Sequence, residues 1–308
     1  MNLDQIATEI TAEIRADAHE IESAADAKTP GLTPGPFGMA IAMADGSLIH
    51  AGAADTPFPI QSISKVFALS LALETHADAV FKRVGREPSG DPFNSVIDLE
   101  RTCGIPRNPF INAGALVIVD MLVEQFGDGA RDAVRNLVLG GIDAPASKAA
   151  VTLNEEVLNE GGDLNRAMLH FMLHHDNVRS PIDAVMDAYA RQCAVNVDCV
   201  GLAQAGRYLA DTRVPPDAAD DRAKCMRTTL ALMMTCGHYD GSGDFAVRVG
   251  LPAKSGVGGG ILAIAPGIAS IAVWSRNLDQ HGNSMLGVRA LEMLNARTGC
   301  SVFGPPIA

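Results

Sequence analysis

Leu3, Ile6, Ile10 and Ile14 recur at spacings of three and four residues, with Asp4, Glu9, Glu13, Asp17 and Glu20 among them. That pattern predicts one apolar helix face. The interspersed acids leave no uninterrupted apolar run of the kind a signal peptide carries. A Pro/Gly-rich turn follows, from Thr29 to Pro36. Phe37 to Met43 is then almost continuously apolar and reads as a buried strand, with Ala44-Asp45-Gly46 as a hairpin turn and Ser47 to Ala51 as the return strand. Pro57 and Pro59 break the chain just before Ser62. From Ser62 to Glu74, Val66, Leu69 and Leu73 fall at helical spacing with few polar residues between, as expected of a buried helix.

After a loop from Gly85 to Ser95, helical patterns run to about Gly237, interrupted at Arg107-Asn108-Pro109, Gly140-Gly141 and Pro215-Pro216. Phe245 to Val249, Gly259 to Ala265 and Ile268 to Ser275 read as strands, with Pro266-Gly267 turning the last pair. A final helix is expected over about Ser284 to Arg297. Strands at both ends around a helical middle predict an α/β (α+β) fold. Its antiparallel sheet is built from both termini, with flanking helices and an inserted helical lobe. The expected organisation is a single domain over residues 1–308. An α/β lobe takes about 1–75 and 240–308, and a helical lobe about 76–239.

Composition adds exclusions. The formal net charge of −12 and the lack of a basic run argue against nucleic acid as a partner. No stretch of about 18 apolar residues predicts a membrane span. None of the six cysteines is paired as C-x-x-C, so reduced thiols in a cytoplasmic protein are expected, with no metal and no cofactor. His170 and His174 share a helix face but lack the H-E-x-x-H glutamate, so they are read as surface or packing residues.

The sharpest chemistry is Ser62-Ile63-Ser64-Lys65, an S-x-x-K at a helix start. Residues three apart share a helix face, so hydroxyl and amine can meet. A serine hydroxyl needs a base to become a nucleophile, and a buried lysine with lowered pKa can be that base. A second segment, Lys254-Ser255-Gly256-Val257-Gly258-Gly259-Gly260, has the K-[ST]-G form. That form lines the site opposite S-x-x-K in serine β-lactamases and penicillin-binding enzymes. Its glycines permit close backbone approach to a substrate. Taken alone, these two segments indicate an acyl-enzyme without specifying the acyl group.

The ordered runs Phe58 to Lys65, Pro106 to Ala115, Tyr189 to Cys193, Met234 to Tyr239 and Lys254 to Ile261, with Asn283 ahead of the last helix, resemble the serine-dependent, bacterial-type glutaminases. The resemblance implies a β-lactamase/transpeptidase-like fold. It also implies hydrolysis of the side-chain amide of L-glutamine to L-glutamate and ammonia through a serine γ-glutamyl-enzyme. By that resemblance Ser62 is the nucleophile, Lys65 its base and Tyr239 the proton relay. Val257 offers its main-chain N–H to the oxyanion, with that of Ser62. Asn112, Glu160, Asn165 and Tyr189 hold the free amino-acid end. A homo-oligomer, tetramer or dimer, is also implied. The chain departs from the family pattern at Ala25 to Pro30, where a tyrosine is usual, and between Asn159 and Asn165, where the usual serine and arginine are missing.

Two rivals are weighed. Glu155-Glu156-Val157-Leu158-Asn159 spells the E-x-x-L-N of class A β-lactamases, but no S-D-N occurs. A non-catalytic amino-acid-binding protein would keep the pocket without the chemistry, and the presence of both Ser62 and Lys65 argues against it.

Overall fold

A computed structural model describes residues 2–26, 34–90, 95–211 and 221–304. Helix α1 (Leu3–Asp26) leads to the hairpin β1 (Gly38–Met43) and β2 (Leu48–Gly52), then a two-residue strand β3 (Phe58–Pro59). After a 3-10 turn over Gln61–Ile63 come α2 (Ser64–His76), α3 (Ile97–Arg101), α4 (Asn112–Phe126), α5 (Ala130–Gly141) and α6 (Pro145–Ala149). Strand β4 (Thr152–Leu153) precedes α7 (Glu155–Leu158), α8 (Asp163–His174) and α9 (Ile182–Cys193). Strand β5 (Val195–Val197) precedes α10 (Cys199–Gly206) and α11 (Asp221–Cys236). The chain closes with α12 (Ser242–Arg248), β6 (Ala253–Ser255), β7 (Gly260–Ala265), β8 (Ala269–Trp274) and α13 (Met285–Thr298).

The main sheet is antiparallel in the order β2-β1-β8-β7-β6, so both ends of the chain build it. Its central strands are apolar except for the buried Ser270 of β8, because both faces are covered. Side chains alternate between two cores, as the two-residue period demands. Met39, Ile41, Ile261, Ala263, Ile271 and Val273 face α1 and α13. Ala40, Ala42, Leu262, Ile264, Ala272 and Trp274 face α10 and the helices beyond it. In α1, Ile10 and Ile14 are buried as the spacing predicts, and roughly 2 kcal/mol of transfer free energy attends each such side chain.

Helix α2 is buried along nearly its whole length, packed between α4, α5 and α11. Helix α4 is pinned by charge. Arg83 pairs with Asp120 and, at 2.6 Å, with Glu124, while Asp120 also accepts from the Ser180 amide at 2.7 Å.

Three expectations need correction. Phe245 to Val249 is not a strand but lies in and just after α12. Phe245 and Val249 are buried at i and i+4, whereas Val247, which a strand would place beside them, is 88 % exposed. The strand that completes this edge is β6, which carries Lys254. Secondly, Ser62 is not in the α-helix itself but in the 3-10 turn that runs into it. Thirdly, a small sheet in the order β3-β5-β4 was not foreseen, because its strands are two or three residues long. The Pro266-Gly267 turn and the break at Arg107 to Pro109 are as expected. Pro215-Pro216 and most of the Ala25 to Pro30 stretch lie outside the described residues.

Candidate active site

Gln61 enters the Ser62 turn with φ +47, a left-handed conformation that costs a non-glycine residue roughly 1 kcal/mol or more. The Ser64 hydroxyl donates to the Gln61 carbonyl at 2.7 Å and holds this bend. The K-S-G-V-G-G segment crosses directly over it. A Cβ on Gly258 would lie 2.1 Å from the Pro59 carbonyl, so only glycine lets the two backbones approach this closely. Tyr239, on the facing 3-10 turn, is a second strained residue, with φ +53. Its hydroxyl is hydrogen-bonded to Ser62 and lies 3.5 Å from the Ser255 carbonyl. Two outliers thus flank one hydroxyl pair, a placement typical of functional sites.

Lys65, three residues after Ser62 at the start of α2, is fully buried. Its Nζ donates to Asn112 Oδ1 at 2.8 Å and to the Phe110 carbonyl at 3.2 Å. Both partners are neutral, so desolvation dominates and lowers the amine to about 8, with Cys193 acting weakly in the other direction. Burial pushes Tyr239 up to about 12, against the lowering effect of the Ser62 hydrogen bond. Near neutral pH the amine is therefore the better proton acceptor of the two.

Asn112 is the hub. It starts α4 because the Asn108 side chain caps the preceding turn, accepting from the amides of Phe110 at 3.0 Å and Ile111 at 3.2 Å. Asn112 Oδ1 accepts from Tyr189 Oη at 3.3 Å as well as from Lys65, and its Nδ2 donates to Asn165 Oδ1 at 3.3 Å. Together Asn112, Asn165, Tyr189, Ser62, Glu160 and Val257 line one cavity of about 340 Å³; Lys65 reaches it through Asn112, and Tyr239, bonded to Ser62, lines a separate cavity. All eight residues singled out in the sequence thus converge. The cavity offers a carboxylate at its rim, from the exposed Glu160, and amide and phenol groups deeper in. That is a complement for an ammonium and a carboxylate at one end of a small ligand, with a nucleophile and base at the other.

Glu155 of the E-x-x-L-N run is exposed at the start of α7 and does not line this cavity, which removes the feature favouring the β-lactam reading. Asn283 lines a separate groove. His170 and His174 are exposed on α8, and among the described residues no cluster of His, Cys, Asp and Glu is arranged to hold a metal ion. All six cysteines are free, five of them buried. No helix among the described residues is long and apolar enough to cross a membrane.

Cys193, which lines the cavity with its thiol 3.8 Å from the Ser64 hydroxyl, was not singled out. It follows Tyr189 by four residues, so its place on the same helix face was legible. Lys254, the lysine of the K-[ST]-G segment, is wholly buried with its Nζ 4.3 Å from the Tyr239 ring centre.

A sequence model of the glutaminase family matches residues 29–303. A glutaminase of Rhizobium rhizogenes is 51 % identical over 278 residues, covering 89 % of each chain. One of Azorhizobium caulinodans is 50 % identical over 308 residues, covering 96 % of this chain and 98 % of that protein. The fold is shared with the covalent complex between a Bacillus subtilis glutaminase and 5-oxo-L-norleucine, formed by reaction of that protein with 6-diazo-5-oxo-L-norleucine. There the TM-score is 0.78 and the identity 27 %, over 98 % of this chain and 100 % of that one. The architecture is thus the β-lactamase-like one of bacterial glutaminases. Agreement of this depth over nearly the whole length means that the chain belongs to the glutaminase family.

Proposed function

We propose that this glutamine-hydrolysing enzyme works through a γ-glutamyl ester on Ser62, with the roles of the surrounding residues as follows. Lys65 in its neutral form takes the Ser62 proton as Oγ attacks the side-chain carbonyl carbon. The carbonyl oxygen becomes an oxyanion, met by the main-chain N–H groups of Ser62 and Val257. The proton passes through Tyr239 to the amide nitrogen, the C–N bond breaks and ammonia leaves. Water then repeats the attack, giving its proton back through the same pair, and glutamate is released with Ser62 restored. Glu160 receives the substrate ammonium, while Asn112, Asn165 and Tyr189 receive its carboxylate.

The observation that carries this reading is the continuous contact from Tyr239 through Ser62, and from Lys65 through Asn112, into the cavity that Glu160 rims. The test is covalent. Treatment with 6-diazo-5-oxo-L-norleucine followed by peptide mapping is expected to place the adduct on the Ser62 peptide, and an adduct on Cys193 instead would overturn the assignment. Six free thiols fit a cytoplasmic location. A homo-oligomer is the assembly that family membership favours, and light scattering of the purified protein tests it.

A further inference from the structure

Trp274, the single tryptophan of the chain, is buried at the end of β8, opposite Gly260 of β7. Its indole Nε1 donates to the Gly258 carbonyl at 3.0 Å. Its ring stacks on Phe58, with centroids 5.7 Å apart and planes 10° apart. Phe58 stands four residues before Ser62, and Gly258 directly follows Val257. Gly260 leaves room for the stack, since a Cβ there would lie 2.4 Å from Phe58 Cε2. One side chain therefore ties the K-S-G-V-G-G segment to the chain that enters the Ser62 turn. The segment needs such a tie. Gly256, Gly258, Gly259 and Gly260 surround Val257, and glycine has the freest backbone of all residues. Bonds from the Gly259 amide to the Gly256 carbonyl at 2.9 Å and from the Gly256 amide to the Gly260 carbonyl at 3.0 Å shape the turn itself. They do not set its distance from Ser62.

We propose that Trp274 is a positioning residue for the oxyanion hole, holding the main-chain N–H of Val257 at the spacing from that of Ser62 which the developing oxyanion requires. The inference rests on the reading of those two N–H groups as the oxyanion donors. Such donors act over roughly 2.7–3.1 Å from the oxyanion, and a misplacement of about 1 Å can cost on the order of 10²-fold in rate. The two donors lie on segments far apart in the chain, so their spacing depends on what holds those segments together. A buried indole N–H ordinarily finds a partner, and the stack on Phe58 could be made by a phenylalanine as well. The partner distinguishes the two roles. It is the carbonyl of the residue next to the assigned donor, on the glycine segment that crosses over the nucleophile.

The test is Trp274→Phe, which keeps a ring against Phe58 and removes the indole donor. It is assayed for glutamine hydrolysis beside wild type and Ser62→Ala, with competent sites counted by the stoichiometry of 6-diazo-5-oxo-L-norleucine incorporation. Expected is a fall in kcat per site of ~10- to 100-fold with KM within about threefold, because the transition state and not the bound substrate uses the oxyanion hole. A packing role alone would lower thermal stability and the number of competent sites without changing kcat per site, and that result would overturn the proposal. A rise in KM at unchanged kcat would overturn it too. Turnover that survives Ser62→Ala would instead remove the catalytic reading, and the proposal with it. Where Trp274→Phe does not fold, the wild type decides. One tryptophan gives one indole N–H resonance, which should shift when 6-diazo-5-oxo-L-norleucine modifies the enzyme. A resonance that stays in place on full modification would refute the tie.

Discussion

Lys65 Nζ donates to Asn112 Oδ1 across 2.8 Å, and that same oxygen accepts from Tyr189 Oη at 3.3 Å. The group assigned to proton transfer and a group assigned to substrate binding therefore share one acceptor. This makes the protonation state of the base sensitive to what occupies the cavity.

The pH dependence follows from the buried amine. With Lys65 at about 8, roughly a tenth of it is neutral at pH 7 and about half at pH 8. Its base form grows as pH rises, so kcat/KM should climb about tenfold per unit well below the midpoint and level off above it. Initial rates with L-glutamine from pH 6 to 10 check this, and a flat profile would remove Lys65 as the base.

Asn112→Asp tests the shared acceptor. A carboxylate in place of the amide oxygen favours the Lys65 ammonium, so the midpoint of the same profile should move to higher pH. Asn112→Ala removes the acceptor altogether and should raise KM together with a loss of kcat. A substitution that raised KM with kcat and the profile unchanged would confine Asn112 to substrate binding.

Tyr239→Phe keeps the ring and removes the hydroxyl bonded to Ser62. Loss of a positioned proton donor predicts a fall in kcat on the order of 10²–10⁴-fold. Glutamate binding, measured by calorimetry, should change little, because the Tyr239 hydroxyl is directed at Ser62 and Ser255 and not at the residues assigned to the amino-acid end.

Asp120→Ala addresses stability away from the site. It would leave the buried Arg83 guanidinium with Glu124 as its remaining carboxylate partner and take the side-chain acceptor from the Ser180 amide. Breaking a buried pair outright costs about 3–5 kcal/mol, so with Glu124 retained denaturant unfolding should show a loss toward the lower end of that range. A loss under about 1 kcal/mol would mean that the pair is exchanged for water at little cost.

What could be read from the sequence divides along physical lines. Strands β7 and β8 were legible because both faces are buried, so their runs are apolar but for Ser270, and a Pro-Gly turn separates them. Phe245 to Val249 was misread because Phe-Ala-Val-Arg-Val satisfies a two-residue period and an i, i+4 pair equally well. Only the exposure of Val247, a tertiary fact, separates the two. Ser62, Lys65 and the Val257 segment were legible from motif spacing, whereas Asn112, Glu160, Asn165, Tyr189 and Tyr239 were reached only through the family resemblance. The Asn112 hub was not legible, because its links to Lys65 and Tyr189 span 47 and 77 residues. The K-[ST]-G segment placed Lys254 beside the site but did not indicate its full burial against the Tyr239 ring, since a lysine on a strand is ordinarily expected to reach water.

The central claim is that Ser62 carries the γ-glutamyl group. Its most direct test is ammonia release from L-glutamine by wild type and by Ser62→Ala, with asparagine and a chromogenic cephalosporin assayed in parallel. The account predicts rapid release from glutamine by wild type, none above background by Ser62→Ala, and no turnover of the cephalosporin. Glutamine hydrolysis that survives Ser62→Ala, or turnover of the cephalosporin alone, would contradict it.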